Sequence, residues 1–376
     1  MLGWHDVYNI YCVYSVMNLE RYWSEKRNDS LSRKTFVEEK GVKKYLLANF
    51  SGTAQSIDIG KSAYTVGDFY RTKDNLKADP NDPGALERAV KEQFDMPQWA
   101  SVALNRSLAE TNMTFMPQTK TCNVYCPWCF VDDFNKNGEK GAGEYFSVSE
   151  GIDALEELRK DKTIHVMRRS GGEPLLLPWQ WTENLRELDK RGLSKEVYFQ
   201  GETNLMTGHF IDHLQSEGRL DKNFWNEVAA YDNFGVLCSF KGTDAESHLG
   251  AIGFSNKKFS FLEEERWHTF DSMVKAGVDA YPFVYDPNPA SLKGFLEKGM
   301  GKYGPDFASK TWVFPLKMYG PEKIRLERKG ISKADLQVRL DEDFRISDDM
   351  MHELVPKMTG HEYKAVPRTD VQLKVA

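Results

Sequence analysis

Cysteine is scarce in this chain of 376 residues: there are five, and three of them fall between Cys122 and Cys129. A secreted disulfide framework would spread an even number through a shorter sequence, so that class is excluded and a cytoplasmic, reducing compartment is expected. Excess positive charge is lacking too. Fifty Lys and Arg against 56 Asp and Glu leave a formal charge of −6, which disfavours long nucleic acid as a partner, because such binding rests on phosphate neutralisation. A membrane-spanning run is also missing at the N-terminus. "VYNIYCVYSVM" (residues 7–17) falls short of the ~20 residues that cross a bilayer, and it has neither a preceding basic segment nor a small-residue cleavage site. It reads as soluble structure, with Met17 a candidate start, and no membrane partner is expected. Isolated Cys12 and Cys238 read as buried small hydrophobes. There is no internal repeat, low-complexity tract or heptad pattern.

What is present is a soluble, globular composition, 40% apolar and 28% charged, in a chain long enough for one large domain with an elaboration or for two ordinary domains. Residues 1–111 show no strand–helix rhythm, although "KADPNDPGALERAVKEQF" looks like a loop closing on a helix that starts near Pro83. From about residue 112 a rhythm sets in. "TNMTFMPQ", "TIHVMR", "EVYFQ", "FGVLCSF", "DAYPFVY" and "TWVFPLKMY" read as strands. Helices alternate with them: "SVSEGIDALEELRKD", opened by a capping box of Ser147 and Glu150, "WQWTENLRELDKRG", "TGHFIDHLQSEG" and "FLEEERWHTFDSMVKAG". Six strands alternating with helices predict an α/β fold, a partial (β/α)6 TIM-like barrel of parallel strands over residues 112–320. An N-terminal region (1–111) and a C-terminal extension (321–376, beginning near Pro321) flank it. In the extension "IRLERKGISKADLQVRLDEDF" reads as a solvated helix face. Chemistry in such a barrel belongs at the C-terminal strand ends.

The cysteine loop "TCNVYCPWCF" follows the first of these strands, so it stands at such an end. Three thiolates spaced x3 then x2 can bind three irons of a [4Fe–4S] cube and leave the fourth open to a chelating molecule. "CPWC" alone would suit a thioredoxin-like redox pair, but Cys122 then has no role. Cys126 and Cys129 with His209 and His213 of "HFIDH" imitate a zinc set, but that too leaves Cys122 over and draws its histidines from a different strand. Spacing and placement together favour the cluster, and the two histidines read as ordinary helix residues.

Cys122-x3-Cys126-x2-Cys129, with aromatic Trp128 just before the last cysteine, resembles the signature loop of the radical S-adenosylmethionine (radical SAM) superfamily. The resemblance covers about residues 112–320. It implies a [4Fe–4S] cluster on Cys122, Cys126 and Cys129, with S-adenosyl-L-methionine on the open iron. It further implies reductive cleavage of that cofactor, hydrogen abstraction from a substrate, and an electron donor such as flavodoxin or ferredoxin. "SGGEP" (Ser170, Gly171, Gly172, Glu173, Pro174) resembles the family's glycine-rich motif for the methionine end. There the glycines let the backbone approach a ligand, and Glu173 can oppose an ammonium group. Glu202 and Asn204 of "GETNL" resemble the residues that meet the ribose hydroxyls. Lys241 of "SFKGTD" resembles the strand-four lysine of glycyl-radical activating enzymes, facing the cofactor carboxylate; in the empty enzyme Asp244 would be its counter-charge. "GVDAYP" is similar to the adenine motif, except that Asp279 stands where an apolar residue is usual.

Absences narrow the class further. Cysteines outside the loop are too few for an auxiliary cluster, and no Asp-x-His-x-x-Gly signature of a cobalamin domain occurs. An activase-like enzyme acting on a protein or peptide is the first expectation, with Lys241 as its catalytic residue. A small-molecule or nucleoside enzyme with the N-terminal region closing over a pocket is the second. A non-catalytic iron–sulfur or zinc-binding module is the reading from a different class.

Overall fold

The structure, a computed structural model, describes residues 19–20, 22–49, 64–68, 84–92, 94–141, 143–318, 322, 325–327 and 330–375. Cys12, Met17, Pro83 and Pro321 therefore lie outside the described residues. Ten described strands join in one sheet: β1 (Phe36–Glu39), β2 (Val42–Leu47), β3 (Tyr64–Asp68), β4 (Met113–Thr119), β5 (Glu144–Ser147), β6 (Val166–Gly171), β7 (Tyr198–Thr203), β8 (Phe234–Lys241), β9 (Ala280–Tyr285) and β10 (Trp312–Phe314). The α/β class is as expected. β4, β6, β7, β8, β9 and β10 lie side by side in chain order, every adjacent pair parallel. The sheet is open, because the far edge of β4 is taken in antiparallel fashion by β3 and by the end of β2.

Helices return the chain between these strands, and the expected signals form them. In Val148–Arg159 the Ser147 hydroxyl accepts from Glu150 N at 3.2 Å, and the Glu150 carboxylate takes Ser147 N at 2.7 Å. Each bond satisfies a backbone donor that a helix start leaves open. Trp179–Lys190 buries Trp181, Leu185 and Leu188 completely. Trp181 reaches the sheet because Gly201 of β7 has no side chain; a Cβ there would lie 2.8 Å from the indole. A large-to-small change at so buried a tryptophan typically costs about 3–5 kcal/mol. The last expected strand is shorter than "TWVFPLKMY": β10 stops at Phe314, since Pro315 has no N–H for the ladder.

The other face of the sheet is covered from both ends of the chain. Helix Met96–Leu104 stacks Trp99 on Tyr281 of β9, with ring centroids 3.6 Å apart. Arg368, near the C-terminus, places its guanidinium 4.1 Å from the Phe283 ring centre and pairs with buried Asp95 through Nε–Oδ2 at 2.8 Å. The unphased N-terminal stretch thus adds antiparallel strands and a covering helix. The helix expected beyond Pro83 runs over Ala85–Glu92. No helix of the described residues is long and apolar enough to cross a membrane.

Candidate functional site

β4 and β6 end together, Thr119 opposite Gly171, and the two segments that leave them are tied to each other. Gly172 N donates to Thr119 O at 2.9 Å and Glu173 N to Thr121 O at 2.6 Å. Gly171 has φ +102°, and a Cβ on Gly172 would sit 1.7 Å from the Thr121 carbonyl oxygen. Close approach of backbone at this glycine pair is real, and at Gly172 it is the start of the cysteine loop that approaches. Sequence periodicity carries no information on which backbone crosses a glycine.

Beyond Thr121 the loop is held from several sides. Cys122 N donates to Lys136 O at 3.1 Å, and Tyr125 N to Ile252 O at 2.9 Å. Arg325 spans the loop: its guanidinium donates to the carbonyls of Cys126 (3.3 Å), Pro127 (3.4 Å), Cys129 (2.8 Å) and Val131 (2.7 Å), and to Asp133 Oδ1 (2.9 Å). This arginine lies in the charged run expected to be a solvated face, yet it is buried. Its fork meets four carbonyls of an irregular loop, whose buried acceptors need donors.

Cys122, Cys126 and Cys129 are free thiols, as is fully buried Cys238, which packs in the core as expected. Burial pushes the Cys122 thiol up to about 12, with the charges of Cys126, Cys129 and Glu173 adding to it. Burial also raises Cys126, against the lowering pull of Lys241, Lys136 and Arg325. Asn204 Nδ2 points at Cys122 Sγ, 3.8 Å away, and donates to Asn123 Oδ1 at 2.9 Å. The loop therefore carries soft donors ringed by three cations. Among the described residues no three His, Cys, Asp or Glu side chains already stand as a metal-holding group; the thiols share a neighbourhood rather than a preformed ligand set.

The carboxylates expected to meet a ligand are engaged within the protein. Glu173, fully buried, accepts from Leu175 N (3.0 Å) and Thr203 Oγ1 (2.9 Å) on Oε1 and from Asn204 N (2.6 Å) on Oε2. It braces the end of β7 against the "SGGEP" turn, where Pro174 opens a buried 3-10 turn, Pro174–Leu176. Desolvation by burial lifts its pKa to about 7, even though the three donors and Lys241 oppose the shift. Asn204 Oδ1 accepts from Met206 N at 2.9 Å, so this side chain is spent on the cysteine loop and its own turn. Glu202 Oε1 accepts from Arg168 of β6 through Nε, at 2.9 Å, and Nη2, while its Oε2 accepts from Ser170 Oγ at 2.7 Å.

Lys241, at the end of β8, is buried with its ammonium 5.0 Å from the Trp128 ring centre and 5.4 Å from that of Tyr285. Trp128 Nε1 donates to Asp286 Oδ2 at 3.1 Å, and Arg339 completes that carboxylate from helix Lys333–Thr359. Asp244 is not the counter-charge of Lys241. It caps the next helix, accepting from Ser247 N at 2.8 Å and Asn288 Nδ2 at 2.9 Å, while ring faces meet the lysine instead. The Lys241 carbonyl is pinned by His248 Nδ1 at 2.7 Å and Arg266 Nη1 at 3.0 Å.

Two further expected positions resolve simply. His209 pairs with Glu265 and stacks on His268 at 4.2 Å, a helix-to-helix contact. Asp279, ahead of β9, takes Lys310 Nζ at 2.5 Å. The residues that sequence reasoning missed are Lys136, Arg168, Arg325 and Arg339. Only Arg168 left a signal, a charged residue closing the strand run "TIHVMR". The chain matches no protein-family model and no curated protein.

Proposed function

We propose that the chain is a radical SAM enzyme in which Cys122, Cys126 and Cys129 hold a [4Fe–4S] cluster that binds S-adenosyl-L-methionine. One observation carries the reading: three free thiols, Lys136, Lys241 and Arg325 gather beyond the end of β4, the kind of strand end where βα-repeat folds keep their chemistry. The donor set fits such a group. Thiolates suit iron, the Asn204 amide offers a hydrogen bond to sulfur, and the cations oppose a net negative charge. The six parallel strands in chain order support an open (β/α)6 barrel. When bound, the cluster and cofactor supply the electron and the sulfonium whose reductive cleavage allows hydrogen abstraction from a substrate.

The protein's own residues orient and shield. Lys241, buried beside Trp128 and Tyr285, would meet the cofactor carboxylate, and its charge counts for more there than in bulk water. Ser170 and Glu202, bonded to each other here, would exchange part of that pairing for the ribose hydroxyls. Glu173 and Asn204 act one layer back, on the loops. Flavodoxin or ferredoxin is the electron donor in this reading, and the Lys241 resemblance favours a protein or peptide substrate. A small-molecule substrate is the second reading, favoured by the Arg168–Glu202 pair on the sheet, whose side chains are 16% and 18% exposed.

Anaerobic reconstitution tests the reading. About four irons and four sulfides per chain are expected, with formation of 5′-deoxyadenosine under dithionite. Alanine at Cys122, Cys126 or Cys129 should abolish both, and Cys238→Ala should spare both. Lys241→Met should keep the iron and lose most of the product, with Lys241→Arg a partial rescue. Uptake of one zinc and no iron would leave a non-catalytic module instead.

A further inference from the structure

Lys136 is a buried cation to which this function gives no contact with cofactor or substrate. The residue is 6% exposed, and its Nζ lies 3.1 Å from Asp133 Oδ1. Asp133 is itself half exposed and is shared with Arg325 Nε at 2.9 Å. Two buried cations therefore divide one solvated carboxylate. Burying an ammonium costs several kcal/mol unless opposite charge is near, and a half-exposed, shared carboxylate is weak compensation.

Thiols supply negative charge only as thiolates, the form that binds metal, and the cysteine loop runs beside this lysine. The Lys136 carbonyl accepts Cys122 N–H at 3.1 Å, and Thr121 pairs with Asn137 in an antiparallel bridge, so this segment runs beside the cysteine loop. Arg325, which shares Asp133 with Lys136, donates to the Cys129 carbonyl at 2.8 Å, so this pair of cations lies against the loop.

We propose that Lys136 is a positioning residue that compensates the charge of the thiolate-bound group and raises its reduction potential; this rests on the reading of the three cysteines as cluster ligands. Reduction adds one negative charge to a cluster, so a fixed buried cation beside it favours the reduced form, and net charge and hydrogen bonding to sulfur are the known levers on such potentials. Lys241 is assigned to the cofactor and Arg325 to the loop carbonyls, which leaves Lys136, paired only with shared Asp133, as the cation free to answer the charge of the thiolate-bound group.

The test is a potentiometric titration of the reconstituted full-length protein without S-adenosylmethionine, followed by electron paramagnetic resonance, for wild type, Lys136→Met, Lys136→Arg and Asp133→Asn. At the potential where half the wild-type centres are reduced, the Met variant should show a reduced-to-oxidised ratio about tenfold lower, about 59 mV for one electron. Arg should restore most of it, and Asp133→Asn, which removes the competing carboxylate, should shift the ratio the opposite way. A Met variant that titrates with wild type overturns the proposal while leaving the cluster intact. If Lys136→Met holds no iron, Asp133→Asn decides: a ratio unchanged from wild type overturns the proposal. A wild-type protein that takes up no iron overturns the reading of the cysteines, and this proposal with it.

Discussion

Gly172 is the residue at which the geometry departs most from what its motif suggests. Its missing Cβ is the space through which the Thr121 carbonyl passes, so even the smallest side chain must displace backbone. Gly172→Ala is therefore expected to move the cysteine loop before it touches any cofactor. Iron retained after reconstitution should fall by more than half while far-UV circular dichroism stays unchanged. Full iron content with normal spectra would show that the loop yields, and that the glycine serves a ligand instead. Glu173 and Asn204 follow the same logic. Both are polar residues at a strand end, and both are occupied by neighbouring backbone and amides, as buried polar groups must be.

At the scale of elements, the cysteine loop is a connection of irregular backbone, and such segments need partners for their carbonyls. Arg325 supplies four of them from a segment almost two hundred positions away in the chain. Hydrogen bonds from a charged donor contribute about 1.5–3 kcal/mol each where they are buried. Arg325→Met should thus loosen the loop rather than unfold the sheet. Faster amide hydrogen exchange across residues 126–133 and severalfold lower iron retention are expected, and Arg325→Lys should recover only part, because a point charge cannot fork across several carbonyls. Unchanged exchange in the Met variant would count against the clamp.

The whole molecule carries a pH dependence that can be signed from one buried group. His248 packs fully buried under the end of β8, and burial, followed by the neighbouring Arg266 charge, holds its pKa at about 3. An unfolded histidine takes its proton near pH 6.5. The folded state refuses that proton until about pH 3, so stability present above pH 6.5 is lost as pH falls, by at most about 1.4 kcal/mol per unit from this group. Urea unfolding at pH 7 and pH 5 should show a larger drop in midpoint for wild type than for His248→Asn; equal drops would remove His248 from the acid response. The same scale explains why both chain ends matter. Asp95 and Arg368 meet as a buried ion pair over β9, where removing one partner strands the other's charge.

Much of this was legible in the chain itself. Strand runs, the Ser147 capping box and the thiol spacing depend on neighbours a few positions apart, and local sterics and hydrogen bonding act at that range. They sufficed for the α/β class, the order of the six parallel strands and the placing of Cys122, Cys126, Cys129, "SGGEP" and Lys241 beyond or at strand ends. Other features depend on which distant segment fills a space. Thr121 crosses Gly172, Arg168 takes Glu202, Asp244 caps a helix instead of pairing with Lys241, and Arg325 leaves its charged run for the cysteine loop. Those partners are set by packing and by the need to match every buried charge and carbonyl, conditions that exist only once the chain has folded.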